Sequence, residues 1–250
     1  MTKEEELEFK LGQYEALKTA YRIFGQGDLM KFWLFEEHRF IYKWVHYFPI
    51  YEKWFSPYRG KEIVFVEIGV QFGGSIQMWK NYFGKDARII GVDIDEHCKQ
   101  FEEEQISIEI GSQDDENFWA AFKEKYPRVD ILLDDGGHTM NQQITTFKQM
   151  FPHIKDGGLY MCEDCHTSYV ESYGGGLNNP NTFIEFAKRI IDEINFAYTY
   201  GNNSPTYNTL NLSGLHFYDS IVVAEKNKIA TKPFNLCIGK NGMVHFDDAL

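Results

Sequence analysis

Two acidic clusters follow short, mostly apolar segments of this sequence. The first is D-D-G-G-H at residues 134–138, after residues 129–133, and the second is E-D-C-H at residues 163–166, after residues 158–162. In an open α/β sheet, ligands bind outside the carboxyl ends of the strands, so we expect both clusters to meet at that edge. Converging carboxylates repel one another unless some are protonated or a cation lies among them. The sequence therefore predicts a divalent-metal site on a fold that binds a nucleotide cofactor.

The elements that must position these clusters are strands and helices that alternate from residue 63 onward. Strands are predicted at residues 63–70, 87–94, 106–110, 129–133 and 158–162, and helices at residues 75–82, 96–104, 116–126, 140–151 and 182–194. Two further strands are predicted at residues 216–225 and, with a weaker pattern, between residues 235 and 246, whereas residues 202–209 are rich in turn formers. We therefore predict an α/β fold, a doubly wound, mostly parallel, seven-stranded Rossmann-like sheet.

Residues 1–60 differ from the rest of the chain because aromatic residues are dense there and have an apolar spacing typical of helices. A stripe of aromatic residues packs in a hydrophobic core more often than it binds a ligand. This region is therefore predicted to be an N-terminal helical appendage packed on a main domain at residues 61–250. A lid over a substrate and an oligomer contact remain alternatives for it.

The composition argues against several classes of protein. With 250 residues, 43% of them hydrophobic, the chain can bury a full core. Its net charge of −12 argues against a nucleic-acid partner, because phosphate neutralisation needs a basic surface. No apolar run reaches the roughly 18–20 residues of a membrane span. The polar, acidic start of the sequence predicts that a secretory signal is absent.

The cysteines fit a reduced, cytoplasmic protein. There are four of them, Cys98, Cys162, Cys165 and Cys237. Cys162 and Cys165 form a C-x-x-C around the two acids of the second cluster. Because no second cysteine pair lies nearby, zinc binding or redox chemistry is the less favoured interpretation.

A glycine-containing turn at residues 67–75 provides a candidate cofactor site between the first strand and the first helix. Gly69 and Gly73 let a ligand approach the backbone, and the following helix offers free N–H donors. Asp93, at the end of the second strand, can accept both hydroxyls of a ribose. The E-x-G-x-x-x-G pattern lacks the middle glycine that admits the pyrophosphate of a dinucleotide. This combination favours S-adenosylmethionine, and a tight turn with a helix-capping acid is the alternative.

Further residues are assigned to the same cofactor site. Glu67 and Ser75 bound the turn, Ser112 and Gln113 follow the third strand where polar groups could reach an adenine ring, and Asp134 could touch the methionine end of the cofactor. For Asp134, capping of the strand end is the alternative.

Residues 47–169 resemble the class I S-adenosylmethionine-dependent methyltransferases. More narrowly, they are similar to the metal-dependent sugar O-methyltransferases of macrolide biosynthesis, of the mycinamicin type. The matching stretches are P-I-Y-E-K-W-F-S-P at 49–57, V-E-I-G-V at 66–70, G-V-D-I-D at 91–95, D-D-G-G-H at 134–138 and E-D at 163–164, with H-F-Y-D-S at 216–220 beyond them. The resemblance implies the sheet of that family for residues 61–250, and it leaves the first 45 residues uncovered.

The resemblance implies a magnesium ion held by Asp135, Glu163 and Asp164. Independently, three carboxylates with room for three more oxygens favour an octahedral Mg²⁺ site that tolerates Mn²⁺. Asp135 is counted as catalytic because coordination lowers the pKa of an acceptor hydroxyl. His138 is predicted to be the general base, a role that the resemblance also gives it. A histidine satisfied by a local backbone bond is the alternative for His138.

The loop after the second cluster is the predicted substrate contact. His166 is a second candidate base, and both His166 and Tyr169 are expected to face the acceptor. The glycine run at residues 174–176 could form a hinge for this loop, or could simply leave it loose.

These residues predict transfer of a methyl group from S-adenosylmethionine to a sugar hydroxyl of a small molecule or glycan, with Mg²⁺ and a histidine base. Three alternatives stay open: a catechol-like phenolic acceptor, an enzyme resembling the cephalosporin-tailoring proteins, and a cofactor-binding module with vestigial acids. A homo-oligomer is expected by analogy with the proteins that the chain resembles.

Overall fold

A seven-stranded sheet lies at the centre of this computed structural model, which describes residues 15, 19, 22–23, 27–35, 38–199, 204–228, 236–239 and 242–245. The strands are β1 (Val64–Ile68), β2 (Arg88–Asp93), β3 (Ile106–Ile110), β4 (Val129–Asp134), β5 (Ile154–Cys162), β6 (Leu212–Phe217) and β7 (Val222–Lys226). Their order is β3-β2-β1-β4-β5-β7-β6, with β1 to β5 parallel and β7 antiparallel to both neighbours. The predicted fold class is therefore confirmed.

The register of the sheet brings the acidic clusters together. Ile68 of β1 pairs with Val92 of β2 on one side and with Asp134 of β4 on the other. Beyond β4, Asp134 pairs with Cys162 of β5. Four neighbouring strands therefore end at the same level. The glycine turn, the predicted ribose acid and both acidic clusters share this one edge of the sheet.

Helices cover both faces of the sheet. They are α1 (Asp28–Phe35), α2 (Phe48–Phe55), α3 (Gly74–Phe83), α4 (Glu116–Lys125), α5 (Met140–Met150), α6 (Phe183–Ile194) and α7 (Tyr207–Asn211). Apolar residues of α1 to α3 pack in one buried cluster, and those of α4 to α6 pack in a second. Phe65 and Val66 of β1 join different clusters because successive strand residues point to opposite faces. Within the described residues, none of these helices combines the length and the apolar character that crossing a bilayer requires.

An aromatic cluster fixes α2 and α3 against β1. Trp79 of α3 lies 5.2 Å from Tyr51, 5.5 Å from Phe55 and 5.3 Å from Phe65, measured between ring centroids. All four rings are fully buried. Removing a buried tryptophan ring of this kind costs about 3–5 kcal/mol of stability. Two aromatic residues of the region before residue 60, Tyr51 and Phe55, are therefore part of the core.

Other aromatic residues of the N-terminal region do not pack in the core. Phe40, Tyr42 and Trp44 are 81%, 80% and 51% exposed. Tyr42 and Trp44 line a cavity at the carboxyl edge of the sheet. The division at residue 60 stays a prediction, and most of residues 1–26 lie outside the described residues.

The prediction of one strand at residues 216–225 is wrong, because this segment forms the hairpin of β6 and β7. The Tyr218 N–H donates to Ile221 O at 2.8 Å, and Ser220 takes a φ of +64°. Asp219 and Ser220 are residue types that favour turns, and here they outweigh the apolar pattern around them. The strand predicted between residues 235 and 246 is also a hairpin, formed by β8 (Leu236–Gly239) and β9 (Gly242–His245).

Three further elements differ from the sequence prediction by more than two residues. A 3₁₀ helix at Glu96–Phe101 replaces the helix predicted at 96–104, and Asp95 caps it by accepting from the His97 N–H. β5 begins at Ile154 instead of residue 158. The predicted turn-rich segment at 202–209 runs into α7, which Thr206 begins with a capping box. The carboxyl edge of the parallel strands, where the cavity lies, is unaffected by these differences.

Candidate active site

A cavity of about 800 Å³ opens at the carboxyl ends of the parallel strands. The predicted site residues that line it are Gly69, Asp93, Ser112, Gln113, Asp135, His138, Glu163, Asp164 and His166. The predicted site residues that lie outside this lining are Glu67, Gly73, Ser75, Asp134 and Tyr169. The cavity therefore joins the predicted cofactor edge to both acidic clusters.

Asp135, His138 and Asp164 form a compact group at one end of the cavity. Each offers one ligand atom, and these atoms all lie within 4.8 Å of one another. His138 Nε2 is 3.5 Å from Asp164 Oδ2 and 3.9 Å from Asp135 Oδ1. Two carboxylate oxygens and an imidazole at this spacing can hold a divalent cation.

The backbone at this group is strained. His138 and Asp164 have φ values of +58° and +52°, in the left-handed region that L side chains rarely adopt. Such conformations persist where the surrounding structure holds them, and they cluster at functional sites. Burial lowers the pKa of His138, and the carboxylates of Asp164 and Asp134 oppose this shift. His138 is therefore an uncharged base near neutral pH.

Lys43 is a cation of this site that the sequence prediction missed. Its ammonium lies 2.5 Å from Asp135 Oδ2, 3.1 Å from Glu163 Oε2 and 3.3 Å from Glu67 Oε1, and its side chain is 2% exposed. Burial alone would lower the pKa of Lys43, but the three carboxylates raise it well above its ordinary value. Lys43 therefore stays charged. The signal that could have revealed it is a lysine inside the apolar, aromatic stretch at residues 40–51.

Glu163 is more enclosed than its neighbouring acids. Its Oε2 accepts from Lys43, and its Oε1 accepts from the Tyr51 hydroxyl at 2.5 Å. Burial and the adjacent Asp135 carboxylate raise the pKa of Glu163 well above its ordinary value. Glu163 lies beside the Asp135, His138 and Asp164 group without being one of its three members.

Glu67 and Ser75 lie beneath the cavity and bind each other. Glu67 Oε2 accepts from Ser75 Oγ at 2.6 Å, and Oε1 accepts from Trp79 Nε1 at 3.0 Å. Burial raises the pKa of Glu67, and the Lys43 ammonium opposes that shift. The sequence predicted that Glu67 and Ser75 bind the cofactor. In the structure their hydrogen bonds connect β1 to α3. Gly73, whose φ is +74°, precedes the first residue of α3 and packs against Phe101.

Asp93 shapes the glycine turn from the end of β2. Its Oδ2 accepts from the N–H groups of Val70 at 2.8 Å and Gln71 at 3.0 Å, and its Oδ1 accepts from the Asp95 N–H at 2.9 Å. Gly69 has a φ of +91°, and a Cβ there would lie 2.0 Å from Asp135 O. A side chain at Gly69 would thus push the turn away from the first acidic cluster.

Asp134 lies behind the cavity wall, where it orients Gln113. Its Oδ1 accepts from Gln113 Nε2 at 2.9 Å, and its Oδ2 accepts from the Tyr160 hydroxyl at 2.8 Å. Gln113 Oε1 in turn accepts from the Gly137 N–H at 2.7 Å. Burial raises the pKa of Asp134 to about 6. Asp134 therefore acts on the cavity through Gln113.

The mouth of the cavity carries aromatic residues. Tyr42, Trp44, Phe72 and Tyr173 line it. Trp44 lies edge-on to His166 with ring centroids 6.0 Å apart, and His166 Nδ1 is 2.7 Å from Ser220 Oγ. Tyr169 is 52% exposed and lies outside the lining. His166 therefore lines the cavity, and Tyr169 lies outside its lining.

Comparison with known proteins identifies the family. Residues 66–165 match a family model described as a methyltransferase domain, a span that includes the glycine turn and the acids of both clusters. Residues 66–165 are therefore a methyltransferase domain of this family.

Several curated relatives are sugar O-methyltransferases. The chain is 34% identical over 197 residues to mycinamicin VI 2''-O-methyltransferase of Micromonospora griseorubida, covering 74% of this chain and 49% of that protein. It is 32% identical over 206 residues to the 3'-O-methyltransferase of 8-demethyl-8-(2-methoxy-alpha-L-rhamnosyl)-tetracenomycin C of Streptomyces olivaceus, covering 76% and 52%. The chain thus spans about half the length of the curated relatives it matches.

A solved structure supports the same relationship. The MycE methyltransferase of the mycinamycin biosynthetic pathway, in complex with Mg, SAH and mycinamycin VI, superposes with a TM-score of 0.70 at 32% identity. The match covers 78% of this chain and 52% of that one.

Proposed function

We propose that this protein transfers a methyl group from S-adenosylmethionine to a hydroxyl of a sugar, with the help of Mg²⁺. The observation that carries the proposal is that one cavity joins the Gly69 and Asp93 edge to the group of Asp135, His138 and Asp164. The names of the similar sugar O-methyltransferases support the choice of acceptor. The acceptor sugar itself belongs to a natural product or a surface glycan in this proposal.

The cofactor edge fits a ligand made of adenine, ribose and an amino acid. Asp93 lines the cavity and keeps one lone pair of Oδ1 for a ribose hydroxyl beyond its three backbone bonds. Ser112 and Gln113 offer polar groups for a base. Gly69 leaves the backbone open beside them. Glu67, Gly73, Ser75 and Asp134 would support this surface from behind.

The acidic end fits a divalent cation. Asp135 Oδ1 and Asp164 Oδ2 face the same space, and hard carboxylate oxygens are what Mg²⁺ and Mn²⁺ prefer. Asp135 and Asp164 would hold the ion, with Glu163 beside them as the third acid. When bound, the cation would lower the pKa of the acceptor hydroxyl and S-adenosylmethionine would supply an electrophilic methyl group.

His138 would serve as the general base. Its uncharged ring accepts the proton of the acceptor hydroxyl as that oxygen forms its bond to the methyl carbon and the carbon–sulfur bond breaks. Asp164, 3.5 Å from Nε2, stabilises the imidazolium that results. The proton then leaves to solvent through the open mouth of the cavity.

The aromatic mouth would receive the acceptor. Tyr42 and Trp44 present exposed ring faces, on which the apolar face of a sugar can stack. His166, held by Ser220, offers a polar group next to them. The contact of Tyr169 with the acceptor remains a prediction from the sequence. We also propose that the protein forms a homo-oligomer, by analogy with the proteins that it resembles.

Calorimetric titration with S-adenosylhomocysteine tests the cofactor. We expect wild-type protein to bind it and Asp93→Ala to lose that binding. Asp156→Ala, which removes an exposed acid near the start of β5, is the matched control and should bind like wild type. No binding by wild type would refute the proposed function. Transfer of labelled methyl groups to methyl glycosides, but not to catechol, would then select the sugar acceptor.

A further inference from the structure

The N-terminal region supplies three donors to the acids of the site. They are Lys43, Tyr47 and Tyr51, spaced four residues apart, and we call them the donor row. All three residues are buried, and together they donate to Asp135, Glu163 and Asp164 of the two clusters. The mechanism proposed above uses none of them.

The tyrosines of the donor row each bind one acid. The Tyr47 hydroxyl donates to Asp164 Oδ1 at 2.7 Å, and the Tyr51 hydroxyl donates to Glu163 Oε1 at 2.5 Å. Burial raises the pKa of both tyrosines, so the hydroxyls remain protonated donors. Because the Tyr47 hydroxyl binds Oδ1 of Asp164, Oδ2 of Asp164 is the oxygen that faces His138.

Lys43 completes the row at the first cluster. It donates to Asp135 Oδ2, which leaves Asp135 Oδ1 on the side of His138. The same ammonium donates to Glu163 and Glu67, so its three N–H groups are all engaged. It is therefore fixed as a counter-charge, with no donor left for a substrate and no lone pair for a proton.

We infer that the donor row positions the acids that hold the divalent cation, and thereby sets the affinity of that site. Lys43 binds one oxygen of Asp135 and Tyr47 binds one oxygen of Asp164, whereas Tyr51 and Lys43 together bind both oxygens of Glu163. In both Asp135 and Asp164, the oxygen left over is the one in the group with His138. Partners behind metal ligands act in this way elsewhere, and their loss typically costs about 10–100-fold in metal affinity. The inference rests on the proposed function.

Titration with Mn²⁺, followed by the EPR signal of the free ion, tests the row without any methyl transfer. We expect Tyr47→Phe to weaken Mn²⁺ binding by about 10–100-fold, because Asp164 loses the donor that orients it. Tyr82→Phe is the matched control, since the Tyr82 hydroxyl also donates to a carboxylate, Glu52 at 2.7 Å, away from the cavity. Its affinity should stay within about two-fold of wild type.

Lys43→Met and Lys43→Arg separate charge from structure. Without a metal, Lys43→Met should melt below wild type, because the carboxylates of Glu67, Asp135 and Glu163 lose their cation. Mn²⁺ should raise its melting temperature less than that of wild type, because Asp135 loses the donor that orients it. Lys43→Arg keeps the charge and should restore part of the metal-free stability.

Two results would overturn the inference. One is wild-type Mn²⁺ affinity in both Tyr47→Phe and Lys43→Met, which would leave the proposed function intact. The other is no Mn²⁺ binding by wild type, which would remove the metal from the proposed function and the donor row's role with it. If Lys43→Met does not fold, Tyr47→Phe alone decides.

Discussion

The Nε2 atom of His138 lies 3.5 Å from Oδ2 of Asp164, although the two residues follow different strands of the sheet. The pairing depends on the level ends of β4 and β5, where Asp134 pairs with Cys162. It also depends on left-handed backbone at both positions. An imidazole and a carboxylate from different strands are thus held together by the sheet.

The first prediction separates the base from the cation site. We expect His138→Gln to lower kcat by about 10²–10⁴-fold, the usual contribution of a positioned base. Asp135→Asn should lower it further, because orientation of the hydroxyl depends on Asp135 and can contribute up to about 7–11 kcal/mol. Steady-state methyl transfer measures both, with Asp156→Ala as the control. Equal, mild losses would rule out a metal that orients the acceptor.

The second prediction concerns Gly69. It shares a φ near +90° with Gly84, but a Cβ at Gly69 would lie 2.0 Å from Asp135 O, whereas a Cβ at Gly84 meets nothing within 4 Å. Gly84→Ala should cost only the backbone strain, about 1–3 kcal/mol. Gly69→Ala should cost more and should also weaken S-adenosylhomocysteine binding.

Thermal melting and calorimetry of the two glycine variants decide between the outcomes. Similar melting temperatures and unchanged ligand affinity in both would show that the close approach of the turn to Asp135 has no role in binding.

The third prediction concerns Asp130, at the amino end of β4. Its buried carboxylate accepts from Arg128, from Lys155 and from the Val64 N–H. Burial alone would raise the pKa of Asp130, but these partners lower it below its ordinary value. A depressed folded-state pKa stabilises the protein above the unfolded-state value, about 3.9. This stability is lost as the pH falls from there through the folded pKa.

Asp130→Asn should therefore lower the free energy of unfolding at neutral pH by about 1–3 kcal/mol. It should also flatten the decline in stability below about pH 4. Urea unfolding at several pH values measures both effects, and methyl transfer by the folded variant should match wild type. A parallel decline in both proteins would show that Asp130 is not the group responsible.

The acidic clusters and the sheet could be predicted from the sequence because both depend on local patterns. Short β-branched runs marked the strands, and an acid directly after each run had to lie at the carboxyl edge. The β6–β7 turn was missed because its Tyr-Asp-Ser sequence contains neither glycine nor proline. The inward turn of Glu67 was missed because its partners, Ser75 and Trp79, are fixed only once α3 docks.

The donors could not be predicted in the same way. Lys43 is 92 positions from Asp135, and Tyr47 is 117 positions from Asp164. Their spacing indicates a buried face, but periodicity cannot say that a hydroxyl on that face meets a carboxylate from another strand. Contacts of such sequence separation are decided by tertiary packing alone.

Lys43 also limits where the chain can be truncated. The family match begins at residue 66, but the cation that neutralises three of its acids comes from residue 43. A fragment cut before β1 would leave those carboxylates without their compensating charge. Any effort to transplant this site into another scaffold must therefore carry part of the preceding chain along with it.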